Sequence, residues 1–192
     1  MEALQTWVKN MESKRDIRKR VLTKRSNIEE KEWEEKSHRI YEKVVTHPFF
    51  LDADEIYCYV DYKKEVGTKK ILEAAWELKK KVAVPKIIGE DMEFFYIHDF
   101  TELESGYCQI LEPTKKELAQ GKNVLVVMPG AVFDWKRNRI GYGKGFYDRY
   151  LQKNSDYHTM ALAFELQMVD RIPADAHDVR PEVIITEEDL YV

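Results

Sequence analysis

Apolar positions recur along this chain with two periods, and the changes between them mark its elements. Lys14, Ile17, Arg18 and Val21 share one stripe at i, i+3, i+4 spacing, and Ser13 stands where an N-cap belongs. The spacing predicts a helix from there to about Arg25, with charge flanking its apolar face. Ser26-Asn-Ile-Glu29 has the form of a capping box. It predicts a second helix to about Thr46 with Trp33, Ile40, Tyr41, Val44 and Val45 inward, ended by His47-Pro48. Glu55 to Val60 predicts a short buried strand. Thr68 is set to cap a helix with Ile71, Leu72, Ala75 and Trp76 inward, and Lys81 to Val84 predicts a second strand ended by Pro85. Strand, helix, strand at this spacing is a βαβ unit, so the expected fold class is α/β with a largely parallel sheet. Ligands in such sheets sit beyond the carboxyl ends of the strands.

The same pattern continues downstream. Met92 to Ile97 predicts an edge strand paired as a hairpin, and Thr101 to Gln120 a polar, irregular loop across the ligand face. Val124 to Met128 is the most apolar run and is expected at the centre of the sheet. A helix over Phe146 to Lys153, a strand over Tyr157 to Phe164, a loop over Pro173 to Pro181 and a last strand over Val183 to Thr186 complete the chain. Residues 1–13 read as an N-terminal extension, and residues 14–192 as a single domain.

Composition narrows the class. At 192 residues and 44% hydrophobic content, one domain can bury a sizeable core. No run approaches the roughly 20 apolar residues that span a membrane, and Met1 to Met11 lacks the pattern of a secretory signal. Cys58 and Cys108 stand apart from each other and from metal-ligand spacing. They are expected to be buried thiols in a reducing compartment, which makes the cytoplasm the expected location. The net charge of −4 argues against a general polyanion binder. Its distribution is uneven: Lys14 to Arg25 carries +6 and Asp134 to Arg149 carries +3, which leaves −13 for the rest. Brought together, the two basic segments would form one anion site on an acidic protein. The first of them alone equally fits a solvated helix whose long side chains snorkel.

Candidate chemistry concentrates between Met128 and Tyr150. This stretch holds Gly130, Gly141, Gly143 and Gly145, four of the chain's eight glycines, among Arg139, Lys144, Asp148 and Arg149. Glycines at alternate positions let backbone amides approach a ligand, and a helix start behind them suits phosphate. A nucleotide site is one reading; a glycine-rich surface turn is the other. It is not a P-loop, because Lys144 lies between two glycines and no Ser or Thr follows. Nor is it a dinucleotide fingerprint, because the spacing is GxGxG and lies well downstream of the preceding strand. HExxH, a GxSxG elbow and zinc-ligand spacing are missing. Glu65 and Lys86 fall at predicted strand ends, as ligand contacts or as surface charges. Asp148 and Asp178 are candidate magnesium ligands or turn-forming residues.

Met128-Pro-Gly-Ala-Val-Phe-Asp134 followed by Arg139-Ile-Gly-Tyr-Gly-Lys-Gly-Phe-Tyr-Asp148 resembles the signature of the 5-formyltetrahydrofolate cyclo-ligase (methenyltetrahydrofolate synthetase) family. Lys14-Arg-Asp-Ile-Arg18, Lys64-Glu-Val-Gly-Thr68, Leu162-Ala-Phe164 and His177-Asp178 match in order, so the resemblance spans about residues 14–186. It implies a three-layer α/β/α sandwich related to sugar-phosphate isomerase and CoA transferase folds. It also implies an ATP- and magnesium-dependent closure of 5-formyltetrahydrofolate to 5,10-methenyltetrahydrofolate. Carried over by position, ATP is expected at Lys14, Arg15, Asp16, Ile17 and Arg18, and again at Arg139, Ile140, Gly141, Tyr142, Gly143, Lys144, Gly145, Phe146 and Tyr147. Lys144 and Arg139 are the expected catalytic residues. The folate is expected at Val60, Glu65, Met92 and the segment from Tyr142 to Phe146, and magnesium at Asp148 and Asp178. A monomer is expected, with small-molecule substrates and no nucleic acid or membrane partner. Two rivals fit parts of the pattern. One is a protein of the same fold acting on a sugar phosphate or CoA thioester. The other is an RNA binder using the basic helix, which the acidic remainder of the chain argues against.

Overall fold

A computed structural model describes residues 12–192, except Lys116 and Ala176. Most of the expected N-terminal extension lies outside the described residues. Helices α1 (Lys14–Ser26), α2 (Glu30–Val45) and α3 (Pro48–Asp52) precede strand β1 (Glu55–Cys58). Helix α4 (Lys69–Glu77) crosses to β2 (Lys81–Ile88), which turns back into β3 (Asp91–Ile97). The next stretch carries a small hairpin, β4 (Leu103–Ser105) and β5 (Leu111–Pro113), and leads to β6 (Val124–Met128). Then come β7 (Val132–Asp134), β8 (Arg139–Ile140), α5 (Phe146–Lys153), β9 (His158–Leu162), β10 (Met168–Val169), β11 (Val183–Ile185) and β12 (Leu190–Tyr191).

Seven strands form the central sheet in the order β12-β11-β9-β6-β1-β2-β3. The five inner strands pair in parallel, and β12 and β3 close the two edges antiparallel. Every residue of β1 and β6 is buried, as expected for strands covered on both faces. Alternate residues feed two cores. Ile56, Cys58, Leu125 and Val127 meet Ile40, Val44, Phe50, Ile71 and Leu72 of α2, α3 and α4, whereas Tyr57, Val124, Val126 and Met128 meet Tyr150 and Leu151 of α5. The result is the three-layer α/β/α arrangement. No described helix is long and apolar enough to cross a membrane.

Helix α1 belongs to neither layer. Ile17 and Val21 pack on Ala131, Val132, Ile140 and Ile172, over a second, three-stranded sheet β10-β7-β8. Asp134 builds the turn inside that sheet. Its carboxylate accepts from the backbone N–H groups of Lys136 (2.9 Å), Asn138 (3.0 Å) and Ile172 (3.1 Å) and from the Asn138 side chain.

Local expectations fail at four points. Ser26 does not cap α2: it closes α1 and donates to the Thr23 carbonyl at 2.8 Å, and Glu29 takes the N-cap position without a side-chain bond. Thr68 sits at the N-cap of α4, but its hydroxyl is engaged by Asp61 instead. Pro85 does not end β2, because β1 pairs only as far as Ala83; beyond it β2 has one ladder partner, and a proline is tolerated as on an edge strand. Cys58 is buried as expected, but Cys108 is exposed, in a turn where its own φ is +54°.

Candidate functional site

The chain leaves β1 toward β2 on one side and returns later to β6 on the other, so the order reverses between β1 and β6. A crevice at such a switch point lies at the carboxyl ends of the strands. A cavity of about 550 Å³ occupies this position. The segment after β1 contributes Val60, Tyr62 and Glu65; β2 contributes Pro85 and Ile87; the segment after β6 contributes Pro129. The glycine stretch closes it with Arg139, Gly141, Tyr142 and the run from Lys144 to Asp148, and Met92, Tyr107, Cys108 and Glu112 line the remaining wall.

The β1–α4 segment presents Glu65 inward for identifiable reasons. Lys63 and Lys64 both adopt positive φ (45° and 59°), which turns the chain sharply just before it. The Glu65 carbonyl accepts from the Trp33 indole at 2.6 Å, and the Gly67 N–H is held by Ser37 at 3.1 Å. Tyr59 donates to the Val66 carbonyl at 3.0 Å. The Glu65 side chain is 9% exposed; one oxygen accepts from the Tyr62 N–H at 2.9 Å and the other from the Tyr142 hydroxyl. Burial pushes the Glu65 carboxyl above its ordinary value, against the pull of Tyr142 and Arg25. The Tyr142 ring is 45% exposed at the cavity, but its hydroxyl is enclosed between Glu65 and Arg25, whose guanidinium donates to it at 2.9 Å. Desolvation of that end, together with Glu65, holds the phenol strongly protonated.

The glycine stretch and α1 meet, as the charge distribution suggested. Arg18 donates to the Gly141 carbonyl at 3.4 Å, and a Cβ on Gly143 would lie 3.2 Å from the same guanidinium. Gly143 and Gly145 have φ of +95° and +66°, a backbone suited to glycine, and Gly145 is the N-cap of α5. Lys144 is exposed, and no ion pair engages it among the described residues. Arg149 turns away and ties the Lys144 carbonyl (2.8 Å) to Asp91 (3.2 Å).

The two candidate magnesium ligands are neighbours. The Val179 N–H, next in sequence to Asp178, donates to Asp148 at 3.0 Å. Each carboxylate is already met by a cation: Asp148 by Arg139 at 2.8 Å and Asp178 by Lys14 at 2.7 Å. Burial works against the Lys14 charge, but Asp175 and Asp178 hold its pKa above the ordinary value; burial likewise opposes the Asp178 charge, which the Asp175 N–H and Lys14 keep below its own. Among the described residues no group of three or more His, Cys, Asp or Glu could enclose a metal. A cation held by this pair would need most of its ligands from phosphate oxygens and water, which magnesium accepts.

The structure thus brings Val60, Glu65, Met92, Arg139, Gly141, Tyr142, Lys144, Gly145, Phe146, Tyr147 and Asp148 around one cavity. Lys14 and Arg18 lie beside it through their contacts with Asp178 and Gly141. Ile17 and Ile140 face a hydrophobic core, so only their backbones could serve a nucleotide. Asp16 is engaged with the Ser13 cap, and Arg15 points to solvent. Sequence reasoning missed Arg25, Tyr62, Tyr107, Cys108 and Glu112. Arg25 was counted only within a basic run, and the others lie in segments without periodicity.

Comparison with known proteins follows from this geometry. The model of the 5-formyltetrahydrofolate cyclo-ligase family matches residues 10–187. A 5-formyltetrahydrofolate cyclo-ligase of Mus musculus is 26% identical over 191 residues, covering 92% of this chain and 94% of its own length. The NMR structure of Aquifex aeolicus 5,10-methenyltetrahydrofolate synthetase is similar with a TM-score of 0.82 at 30% identity, over 93% of this chain and 91% of that one. A Mycoplasma pneumoniae 5,10-methenyltetrahydrofolate synthetase shares the fold with a TM-score of 0.75 at 23% identity, over 92% and 99% of the two chains.

Proposed function

The chain belongs to the 5-formyltetrahydrofolate cyclo-ligase family, and on that premise we propose that its cavity closes 5-formyltetrahydrofolate to 5,10-methenyltetrahydrofolate at the expense of ATP. The formyl oxygen attacks the γ-phosphorus, and ADP leaves. N10 then attacks the activated formyl carbon, the C–O bond breaks, inorganic phosphate departs with the former formyl oxygen, and N10 gives up its proton. A formamide oxygen is a poor leaving group, and phosphorylation corrects that defect. Such a transfer depends on alignment and charge neutralisation more than on covalent chemistry by the protein.

Lys14 and Arg18 bind ATP phosphates in this reading, with the amides of the glycine stretch and the start of α5. Lys144 neutralises charge on the transferred phosphoryl group, because its ammonium is free to swing into the cavity. Arg139, buried against Asp148, fixes the floor beneath the phosphates. Asp148 and Asp178 would hold magnesium, which would neutralise phosphate charge. Glu65 accepts from the N–H edge of the pterin, and Val60, Met92 and Phe146 form the apolar walls. In this reading the protein acts on small molecules, as a monomer in the cytoplasm.

The observation that carries this reading is the meeting of a buried carboxylate, an apolar wall and the basic glycine stretch in one cavity. The test is turnover of the purified protein, followed by methenyl absorbance. Product that requires both ATP-magnesium and 5-formyltetrahydrofolate is expected. No product, or product independent of ATP, overturns the proposal and favours the rival on the same fold that uses a sugar phosphate or CoA thioester.

A further inference from the structure

We infer that Arg25 is a positioning residue for folate recognition, acting through Tyr142 to hold the Glu65 carboxylate ionised and aimed into the cavity. The inference rests on the reading of Glu65 as the pterin contact. Of the seven basic residues of α1, Arg25 is the buried one, at 5% exposure. A buried guanidinium is costly unless paired and hydrogen-bonded. Its hydrogen bonds run to the Tyr142 hydroxyl (2.9 Å) and the Lys63 carbonyl (3.4 Å), and its charge lies over the Tyr142 ring, 5.9 Å from the centroid. Tyr142 in turn donates to Glu65. The arrangement is an Arg–Glu pair with a phenol inserted between the charges. Because that phenol belongs to the glycine stretch, the chain of bonds ties the nucleotide side of the cavity to the folate side.

Arg25 is the cation that acts on Glu65. Burial works most strongly against ionisation of Glu65, and Asp61, on the same segment, adds to it. The Tyr59 and Tyr147 hydroxyls facing it are neutral and strongly protonated. Arg25 and Tyr142 oppose these effects, together with the Tyr62 N–H. Lys63, Arg139, Lys144, Glu112 and Asp148 stand around the same cavity. Arg139 is neutralised by Asp148, and Lys144 is exposed. Loss of Arg25 removes one of the groups that oppose burial and leaves the Tyr142 hydroxyl without its cation, so Glu65 takes a proton more readily. A protonated Glu65 no longer presents a charged acceptor to the pterin N–H edge.

The test is steady-state kinetics over about pH 6 to 9 for the wild type, Arg25→Met, Arg25→Lys and Tyr142→Phe, with thermal melts of each. The wild-type folate KM is expected to change less across this range than that of Arg25→Met. Arg25→Met is expected to raise it about tenfold or more at the acid end, with recovery as pH rises, since hydrogen bonds to charged groups carry factors of this size. Its ATP KM should stay within about threefold, and Arg25→Lys should restore most of the folate KM. An unchanged folate KM overturns the inference. So does a rise of both KM values by the same factor at every pH, which would reduce Arg25 to packing of the glycine stretch. If Arg25→Met does not fold, Tyr142→Phe carries the test, and a wild-type folate profile for it also overturns the inference. A wild type that makes no methenyl product fails the underlying functional reading instead, and that failure appears before any variant is measured.

Discussion

Replacing Glu65 by glutamine alters one side chain at the cavity wall, with offsetting consequences for stability and a loss in binding. Both carboxylate oxygens are engaged, by Tyr62 N–H at 2.9 Å and by the Tyr142 hydroxyl. Glutamine keeps the volume but sets an NH2 group against one of these donors. The loss is one hydrogen bond to a charged group, about 1.5–3 kcal/mol. Against this, the Glu65 pKa is raised in the fold, chiefly by burial. A carboxyl with a raised folded pKa binds its proton more tightly when folded. Its contribution to stability is present below the unfolded value of 4.5 and is lost as pH rises through the folded value. At neutral pH glutamine removes that loss. The two effects offset, so the melting temperature should move by less than about 4 °C, near 1 kcal/mol for a domain of this size. Binding has no such offset: the folate KM should rise about ten- to hundredfold, with the ATP KM within about threefold. Initial rates at varied concentrations of each substrate, with melts over a pH series, check both. An ATP KM that rises more than the folate KM refutes the placement of Glu65 in the folate half. A large drop in melting temperature at unchanged folate KM would make Glu65 a structural residue alone.

Other variants separate scaffold from chemistry. Lys144→Ala removes an exposed side chain, so kcat should fall about a hundredfold or more while the melting temperature barely moves; unchanged turnover would reduce Lys144 to a surface residue. Asp134→Ala strands the N–H groups of Lys136, Asn138 and Ile172, the last two buried, and should cost about 3 kcal/mol or more, read as a melting temperature lower by about 6–12 °C. Gly143→Ala forces a side chain onto a backbone with φ +95° and toward Arg18 at 3.2 Å. The ATP KM should rise about tenfold, which corresponds to 1.4 kcal/mol, and the folate KM should change less.

The fold was legible where one period ran long enough. Helix α5 and the central position of β6 followed from local pattern, because an amphipathic helix and a strand buried on both faces leave strong signals. The three-stranded sheet was not legible, since β7, β8 and β10 are two or three residues each. Pro85 and Ser26 misled for one reason: what a residue does depends on its tertiary neighbours, the end of β1 in one case and the continuation of α1 in the other. In the site, Lys144, the glycines and Glu65 could be picked out by residue type and by likeness to a family. The link from Arg25 through Tyr142 to Glu65 could not, because its members are 117 and 77 positions apart and meet only through the fold.

The central claim is that ATP activates the formyl oxygen itself. Turnover of 5-formyltetrahydrofolate carrying heavy oxygen in its formyl group tests this directly, with inorganic phosphate and ADP analysed by mass spectrometry. The account predicts one labelled oxygen in each phosphate released, ADP without label, and one phosphate per methenyl product. Label found in water, or methenyl product formed without ATP cleavage, would contradict it.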